Sequence, residues 1–179
     1  MNKSLILLDF DNTILKTAEF NCDCYNKILK KYNKYISYNN FIKCIHDNNL
    51  ETYFENILGI NKKLIPKIKS NKYEIMPKML KNKKNNLRFV SGMEKFINYI
   101  NDNKITHCVV TNTSRNIINL YILHIPLLNK LTNWITREDY KLPKPNNECY
   151  KLAIEKFGKG KKIYAFEDSW VGYNALKDL

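Results

Sequence analysis

The stretch Leu5-Ile6-Leu7-Leu8-Asp9-Phe10-Asp11-Asn12-Thr13 is the most informative segment of this sequence. Its apolar run, residues 5–8, predicts a strand that is buried on both faces, as in a parallel sheet. Asp9 and Asp11 follow at the carboxyl end of this strand, where open α/β sheets bind their ligands. Two carboxylates this close repel each other unless a cation or a shared proton is present. A hard divalent cation such as Mg²⁺, which prefers oxygen ligands, is the simplest explanation.

Three later segments also place polar side chains after an apolar strand or before a helix. Residues 107–112, His-Cys-Val-Val-Thr-Asn, read as a strand that ends at a hydroxyl and an amide. Lys144 lies between Pro143 and Pro145, which restrict the backbone on both sides of the lysine. Residues 162–166 read as a fourth strand, and the motif Tyr-Ala-Phe-Glu-Asp at 164–168 carries two acids directly after it. Strands that alternate with helices in this way indicate a parallel sheet with right-handed crossovers.

These four segments, in this order, resemble the four motifs of the haloacid dehalogenase (HAD) superfamily, beginning with DxDxT. The stretch 166–176 most resembles the branch that contains phosphoglycolate phosphatase and β-phosphoglucomutase. The resemblance implies an α/β fold, a Rossmann-like parallel sheet flanked by helices, with a small inserted all-helical cap. Residues 1–15 and 88–179 would form the core domain, and residues 16–87 would form the cap. Relatives usually carry a further strand after the fourth motif, so a minimal sheet and a truncated sequence both stay open.

The resemblance also implies a role for each polar residue. Asp9 would be the nucleophile that forms an aspartyl-phosphate, and Asp11 would be the general acid and base. The implied phosphate ligands are Thr111, Asn112 and Lys144. The implied Mg²⁺ ligands are Asp9, Asp11 through its backbone carbonyl, Asp168, and Glu167 either directly or through water. Lys141 is a less favoured alternative to Lys144.

The function that follows is a Mg²⁺-dependent phosphatase of a small phosphorylated metabolite, such as a sugar phosphate, a phosphoglycolate-like acid or a nucleotide. Asp11 favours phosphate chemistry over dehalogenation, because it can serve as the acid and base. A phosphosugar mutase is the first alternative, weakened because Asn21 stands where the mutase carries a histidine. The second alternative is a basic nucleic-acid-binding or scaffold-binding protein whose HAD-fold core is catalytically silent.

The chain is strongly basic, with 30 Lys and Arg against 17 Asp and Glu and a net charge of +13. An anionic partner would explain this charge. Coding bias of an AT-rich genome would explain it too, together with the abundance of Asn, Ile and Tyr, and is the favoured cause. The most basic segment is 61–88, where Glu74 is the only acid. Because no nucleic-acid module is recognisable, we expect only weak and nonspecific binding to nucleic acid.

The cysteines and the apolar pattern predict the cellular compartment and the helices of the cap. Five cysteines, an odd number, with Cys108 in a predicted buried strand, indicate reduced thiols and a cytoplasmic location. Without an apolar run near the ~20 residues that span a membrane, no membrane partner is expected. Apolar spacing predicts cap helices around 20–32, 50–58, 64–68 and 73–80, and residues 91–94 read as a capping box.

Overall fold

The computed structural model describes residues 3–47, 49–82, 87–177 and 179. The chain divides into two compact units, a core unit of Met1–Lys16 and Arg88–Leu179 and a helical unit of Thr17–Leu87. The helical unit covers the segment predicted to be a cap, and its action as a cap stays a prediction. No helix in the described ranges is long and apolar enough to cross a membrane.

The elements alternate between strand and helix in the core unit, whereas the helical unit contains helices alone among its described residues. The strands are β1 Ser4–Leu8, β2 Thr106–Val110, β3 Trp134–Ile135 and β4 Lys162–Phe166. The α-helices are α1 Thr17–Leu29, α2 Tyr38–His46, α3 Leu50–Asn56, α4 Ile65–Leu80, α5 Met93–Asp102, α6 Arg115–His124, α7 Glu148–Phe157 and α8 Trp170–Leu176. All described strand pairs are parallel, in the order β3-β2-β1-β4. The predicted fold class is therefore confirmed.

The first strand lies in the interior of this sheet, between β2 and β4. Leu5, Leu7 and Leu8 are fully buried and Ile6 is nearly so, which confirms a strand covered on both faces. Side chains from β1, β2, α7 and α8 form one hydrophobic cluster on the sheet. This packing holds the carboxyl end of β1 in a defined position.

The chain turns sharply after β1. Asn12 adopts a φ of 60°, the left-handed conformation that asparagine tolerates better than most residues. The Ile14 N–H donates to Phe10 O at 2.9 Å, which closes the turn through the backbone. The buried hydroxyl of Thr13 has no hydrogen-bond partner among the described residues. The backbone, rather than that hydroxyl, therefore supports the turn.

The helical unit differs from the predicted helices in two ways. The two helices expected at 64–68 and 73–80 are one helix, α4, which continues past Pro77. The helix α2 has no counterpart among the predicted elements, and the side chain of Ser37 accepts from Asn40 N–H at its start. Apolar residues of α1–α4 pack together as a second hydrophobic cluster.

The capping box predicted for residues 91–94 is wrong. Helix α5 begins after Gly92, which has a φ of 84°, and no side chain caps it. Ser91 therefore lies one position too early to act as the cap. A capping box forms instead at Thr136 and Asp139, around the 3₁₀ turn Arg137–Asp139.

Candidate active site

The predicted site residues of the core unit converge at the carboxyl edge of the sheet. Asp9 follows β1, Thr111 follows β2, and Glu167 follows β4. The Asp9 N–H donates to Phe166 O at 3.0 Å, which joins the end of β1 to the end of β4. Carboxylates from two strands thus reach one point because the parallel strands end together.

Lys144 is the centre of this arrangement. Its Nζ lies 2.8 Å from Asp9 Oδ1 and 2.5 Å from Glu167 Oε1. A third contact, 2.8 Å long, joins Nζ to the carbonyl oxygen of Val110 at the end of β2. The side chain is buried, whereas Lys141, the alternative lysine, is exposed. The structure therefore brings Lys144, and not Lys141, to the carboxylates.

The charges in this buried cluster perturb one another. Burial raises the pKa of the Asp9 carboxyl to about 7 against the opposing effect of the Lys144 ammonium, and Glu167 and Asp11 add to the rise. Burial would lower the pKa of Lys144, yet that pKa stands well above its usual value because Asp9, Tyr150 and Glu167 face the ammonium. The lysine is therefore a cation, and a further positive charge is needed to ionise Asp9 fully near neutral pH.

A metal ion fits this need. Carboxylate oxygens of Asp9, Glu167 and Asp168 all lie within 4.8 Å of one another. Three carboxylates against one ammonium leave an excess of two negative charges, which a divalent cation would neutralise. An all-oxygen donor set of this kind suits Mg²⁺. Asp9, Glu167 and Asp168 are therefore the side chains able to hold the metal.

Asp11 lies outside that group of three, in keeping with a metal contact through its backbone carbonyl alone. Its Oδ2 accepts a hydrogen bond of 2.6 Å from the hydroxyl of Thr113. Thr113 was not among the predicted site residues. The sequence contained a signal for Thr113, because the run Thr111-Asn112-Thr113-Ser114 follows the end of β2. Hydroxyl side chains at the end of one strand lie next to the loop that follows the neighbouring strand.

The side chain of Asn112 fixes the loop that carries Lys144. Asn112 Oδ1 accepts from the Lys144 N–H at 3.0 Å, and Asn112 Nδ2 donates to Lys144 O at 3.3 Å. Tyr140 adds a hydrogen bond of 2.7 Å from its hydroxyl to the same Oδ1. The Thr111 hydroxyl accepts from the Thr113 N–H at 3.0 Å. The Asn112 side chain thus positions Lys144, so phosphate binding by Asn112 would fall to its backbone N–H.

Two further residues position Glu167. The hydroxyl of Tyr150, a fully buried residue of α7, donates a short hydrogen bond to Glu167 Oε1. Gly172 of α8 packs directly against this carboxylate, since a Cβ built there would lie 1.9 Å from Glu167 Cδ. Gly172 lies in the stretch 166–176 but was not predicted as a site residue, because a close approach between a helix and a loop leaves no local pattern in the sequence.

The sequence model of the haloacid dehalogenase-like hydrolases matches residues 6–177, nearly the whole chain. The chain belongs to the haloacid dehalogenase-like hydrolase family. The predicted superfamily is thereby confirmed. No curated protein sequence matches the chain.

Solved structures share the fold of this hydrolase at low sequence identity. A phosphoglycolate phosphatase candidate from Lactobacillus plantarum has a TM-score of 0.77 and 16% identity, covering 98% of this chain and 82% of its own. A β-phosphoglucomutase candidate from Thermotoga maritima has a TM-score of 0.71 and 18% identity, and the match covers 99% of this chain and 81% of that chain. CbbY from Rhodobacter sphaeroides, solved in complex with phosphate, has a TM-score of 0.74 and 17% identity, covering 99% and 82%. At these identities the neighbours show that the chain shares their fold.

Proposed function

We propose that this chain is a Mg²⁺-dependent phosphatase that hydrolyses a small organic phosphate monoester. The observation that carries the proposal is the buried Lys144 ammonium between the carboxylates of Asp9 and Glu167. Burying charges costs more desolvation free energy than their attraction usually returns, so stability alone is a poor reason for such a cluster. Binding and reacting a phosphoryl group is a better reason, because the group is anionic and needs cations around it.

The chemistry divides into two displacements at phosphorus. Lys144 contacts Oδ1 of Asp9, so attack by Oδ2 leaves this ion pair intact. Oδ2 would form a bond to phosphorus while the bond from phosphorus to the ester oxygen breaks, and Asp11 would give its proton to the leaving alkoxide. In the second displacement Asp11 would take a proton from water, whose oxygen attacks phosphorus and frees Asp9 and inorganic phosphate.

The protein supplies positioning for both displacements. The Thr113 hydroxyl orients Asp11, and Asn112 with Tyr140 orients the lysine loop. Mg²⁺ held by Asp9, Glu167, Asp168 and the Asp11 carbonyl would supply positive charge next to the phosphoryl oxygens. The hydroxyl of Thr111 and the backbone N–H of Asn112 stand at the same edge of the sheet and are the proposed phosphate ligands.

The substrate class is a phosphorylated metabolite, as the sequence predicts. CbbY from Rhodobacter sphaeroides was solved with phosphate and, as a mutant, with xylulose-(1,5)bisphosphate. A sugar phosphate is therefore the first class to test, ahead of phosphoglycolate-like acids and nucleotides. Asn21 in place of the mutase histidine favours release of phosphate over its transfer. All five cysteines are free and buried, which supports a cytosol-like compartment for the enzyme.

The test is a phosphatase screen with Mg²⁺, with a chelator, and with Mg²⁺ restored. Asp9→Asn should abolish release of phosphate while leaving the fold unchanged, because the amide cannot act as the nucleophile. Asp102→Asn, which alters an exposed acid at the end of α5, is the matched control and should keep full activity. Interconversion of sugar phosphates without free phosphate would indicate the mutase. An active Asp9→Asn variant, or no turnover of any phosphate ester, would refute the proposal.

A further inference from the structure

The loop that carries Lys144 depends on its neighbours for its conformation. Residues 140–147 form bends and turns, with no helix or strand among them. Residues 141–143 are exposed, whereas the side chain of Lys144 is buried. An irregular segment has no ladder of backbone hydrogen bonds, so other groups must bind its N–H and C=O groups if it is to keep one conformation. Two charged side chains do so, one from before the loop in the sequence and one from after it.

Glu148, the first residue of α7, binds two peptide N–H groups of the loop. Its Oε1 accepts from the Lys141 N–H at 3.0 Å, and its Oε2 accepts from the Leu142 N–H at 2.9 Å. These two hydrogen bonds hold the pKa of the Glu148 carboxyl below its usual value, so the group is ionised near neutral pH. Hydrogen bonds to an ionised group are stronger than those between neutral groups. One carboxylate thus fixes two consecutive peptide groups.

Arg137 binds the carbonyl oxygens of the same part of the loop. Its Nη1 donates to Tyr140 O at 2.8 Å, and its Nη2 donates to Lys141 O at 3.0 Å. The guanidinium carbon lies 5.3 Å from the centre of the Tyr140 ring, whose hydroxyl binds Asn112. The backbone N–H of Arg137 donates to Thr113 O at 3.2 Å. Arg137 therefore connects the lysine loop to the loop that follows β2.

The contacts of the two charged side chains meet at Lys141. Its N–H binds the carboxylate of Glu148 and its C=O binds the guanidinium of Arg137. Three residues later, the backbone of Lys144 is fixed in the same way, by the side chain of Asn112. Between these two fixed points the only buried side chain is that of Lys144. The contacts at Lys141 therefore contribute to the position of one ammonium more than to the packing of the core.

We propose that Arg137 and Glu148 are positioning residues, which clamp the peptide groups of Lys141 and thereby keep the Lys144 ammonium at Asp9 for the chemical step. The expected effect on turnover rests on the proposed phosphatase function, whereas the position of the ammonium is measurable without a substrate. Displacement of a group at the reaction centre by about 1 Å can cost about 100-fold in rate, so loss of either side chain should lower kcat about 10- to 100-fold.

Steady-state kinetics of two single variants test the effect on turnover. Arg137→Ala removes both donors to the loop, and Glu148→Gln sets an NH₂ group against one of the two N–H donors. Guanidinium ions at millimolar concentration should restore part of the lost turnover to Arg137→Ala and none to Glu148→Gln. Glu155→Gln, at an exposed glutamate of the same helix, is the matched control and should keep full activity. If both variants are folded by circular dichroism and turn over like the wild type, the clamp only stabilises the fold and the proposal is wrong.

Acetylation of lysines by acetic anhydride, mapped by mass spectrometry, measures the position of Lys144 without a substrate. In the wild type the buried Lys144 should be protected while the exposed Lys141 is modified. Because each variant loses hydrogen bonds to a charged group, Lys144 should be modified about tenfold faster or more in both variants, with Lys141 unchanged. Protection of Lys144 in both folded variants would overturn the proposal, whatever the activity of the chain. Faster modification of Lys144, in a protein whose wild type hydrolyses no phosphate ester, would support the clamp and refute the phosphatase function.

Discussion

Lys144 Nζ and Asp9 Oδ1 lie 2.8 Å apart although 135 residues separate them in the sequence. The same ammonium contacts Glu167, which lies after another strand. One cation thus joins the ends of β1 and β4 to the loop before α7. This arrangement pairs two carboxylates with one ammonium, and with Asp168 the cluster keeps a net negative charge that a metal ion would neutralise.

Replacing Lys144 should impair both activity and stability. Lys144→Met leaves the buried carboxylates of Asp9 and Glu167 facing each other, so we expect a loss of about 3–5 kcal/mol in the free energy of unfolding without metal. Turnover should fall by at least about 100-fold, because the cation beside the reacting phosphoryl group is lost. Urea denaturation and steady-state kinetics measure the two effects. Lys141→Met, at the exposed neighbouring lysine, is the control, and equal effects of both substitutions would contradict the assignment.

Adding a methyl group at Gly172 should displace Glu167. The new Cβ would lie 1.9 Å from the Glu167 carboxylate carbon, so the side chain must leave Lys144 and Tyr150. We expect Mg²⁺ affinity to fall on the order of tenfold or more, as for other lost supports of a metal ligand. Titration calorimetry with Mg²⁺ measures this. Asn174→Ala on the exposed face of α8 should bind Mg²⁺ normally, and a Gly172→Ala variant that does so as well would show that Glu167 is not a ligand.

Removing the hydroxyl of Thr113 should slow the chemical step without weakening substrate binding. The hydroxyl donates to Asp11 Oδ2 at 2.6 Å. When Asp11 acts as the base of the second displacement this is a hydrogen bond to a carboxylate, worth about 1.5–3 kcal/mol. If half or more of this is lost at the transition state, kcat of Thr113→Val falls about tenfold while KM stays constant. Thr113→Ser should recover most of the rate. The exposed Thr132→Val serves as the control, and a change confined to KM would place Thr113 in substrate binding instead.

The cysteines should react slowly in the folded protein. Burial raises the pKa of Cys22 and Cys149 to about 11 and that of Cys108 to about 12. Only the thiolate form of a cysteine reacts. The rate of thiol labelling should therefore rise with pH through these pKa values, because a larger fraction of each thiol is deprotonated. Ellman's reagent at pH 8 should label no cysteine rapidly, and all five after unfolding. A thiol that reacts rapidly in the native state would show that its segment opens.

The basic helical unit should attract an anionic substrate at long range. Lys62, Lys63 and Lys67 are exposed, whereas Lys69 already pairs with Glu51 at 2.5 Å and is left unchanged. Neutralising the three exposed lysines to Gln should raise KM with constant kcat, and should reduce the fall of kcat/KM with ionic strength.

A second triple variant controls for charge alone. Lys95, Lys151 and Lys156, exposed lysines of the core unit, give the same loss of charge when changed to Gln. An equal effect of both triple variants would show a general effect of net charge. Binding to nucleic acid should stay in the ~10⁻⁴–10⁻⁶ M range, steeply dependent on salt. Nanomolar binding without any phosphatase turnover would favour the silent, nucleic-acid-binding alternative.

The sequence by itself determined the local elements that carry the site. The apolar run before Asp9 predicts β1, and the strand at residues 162–166 is observed with the same bounds. Asparagine tolerates a left-handed backbone better than most residues, and Asn12 adopts one, with a φ of 60°. These features depend on neighbours in the chain, on alternation and on backbone preference, so a single sequence is enough to show them. The order of these segments along the chain then supplied the resemblance to the HAD motifs.

Only the tertiary structure decided which side chains meet. It placed the Lys144 ammonium between two carboxylates, and it engaged the Asn112 side chain with the lysine loop. It also revealed Thr113 beside Asp11 and Tyr150 beside Glu167. These contacts join residues far apart in the chain, and packing of whole strands and helices sets their distances. No local pattern encodes such a distance, because it is a property of how the elements assemble.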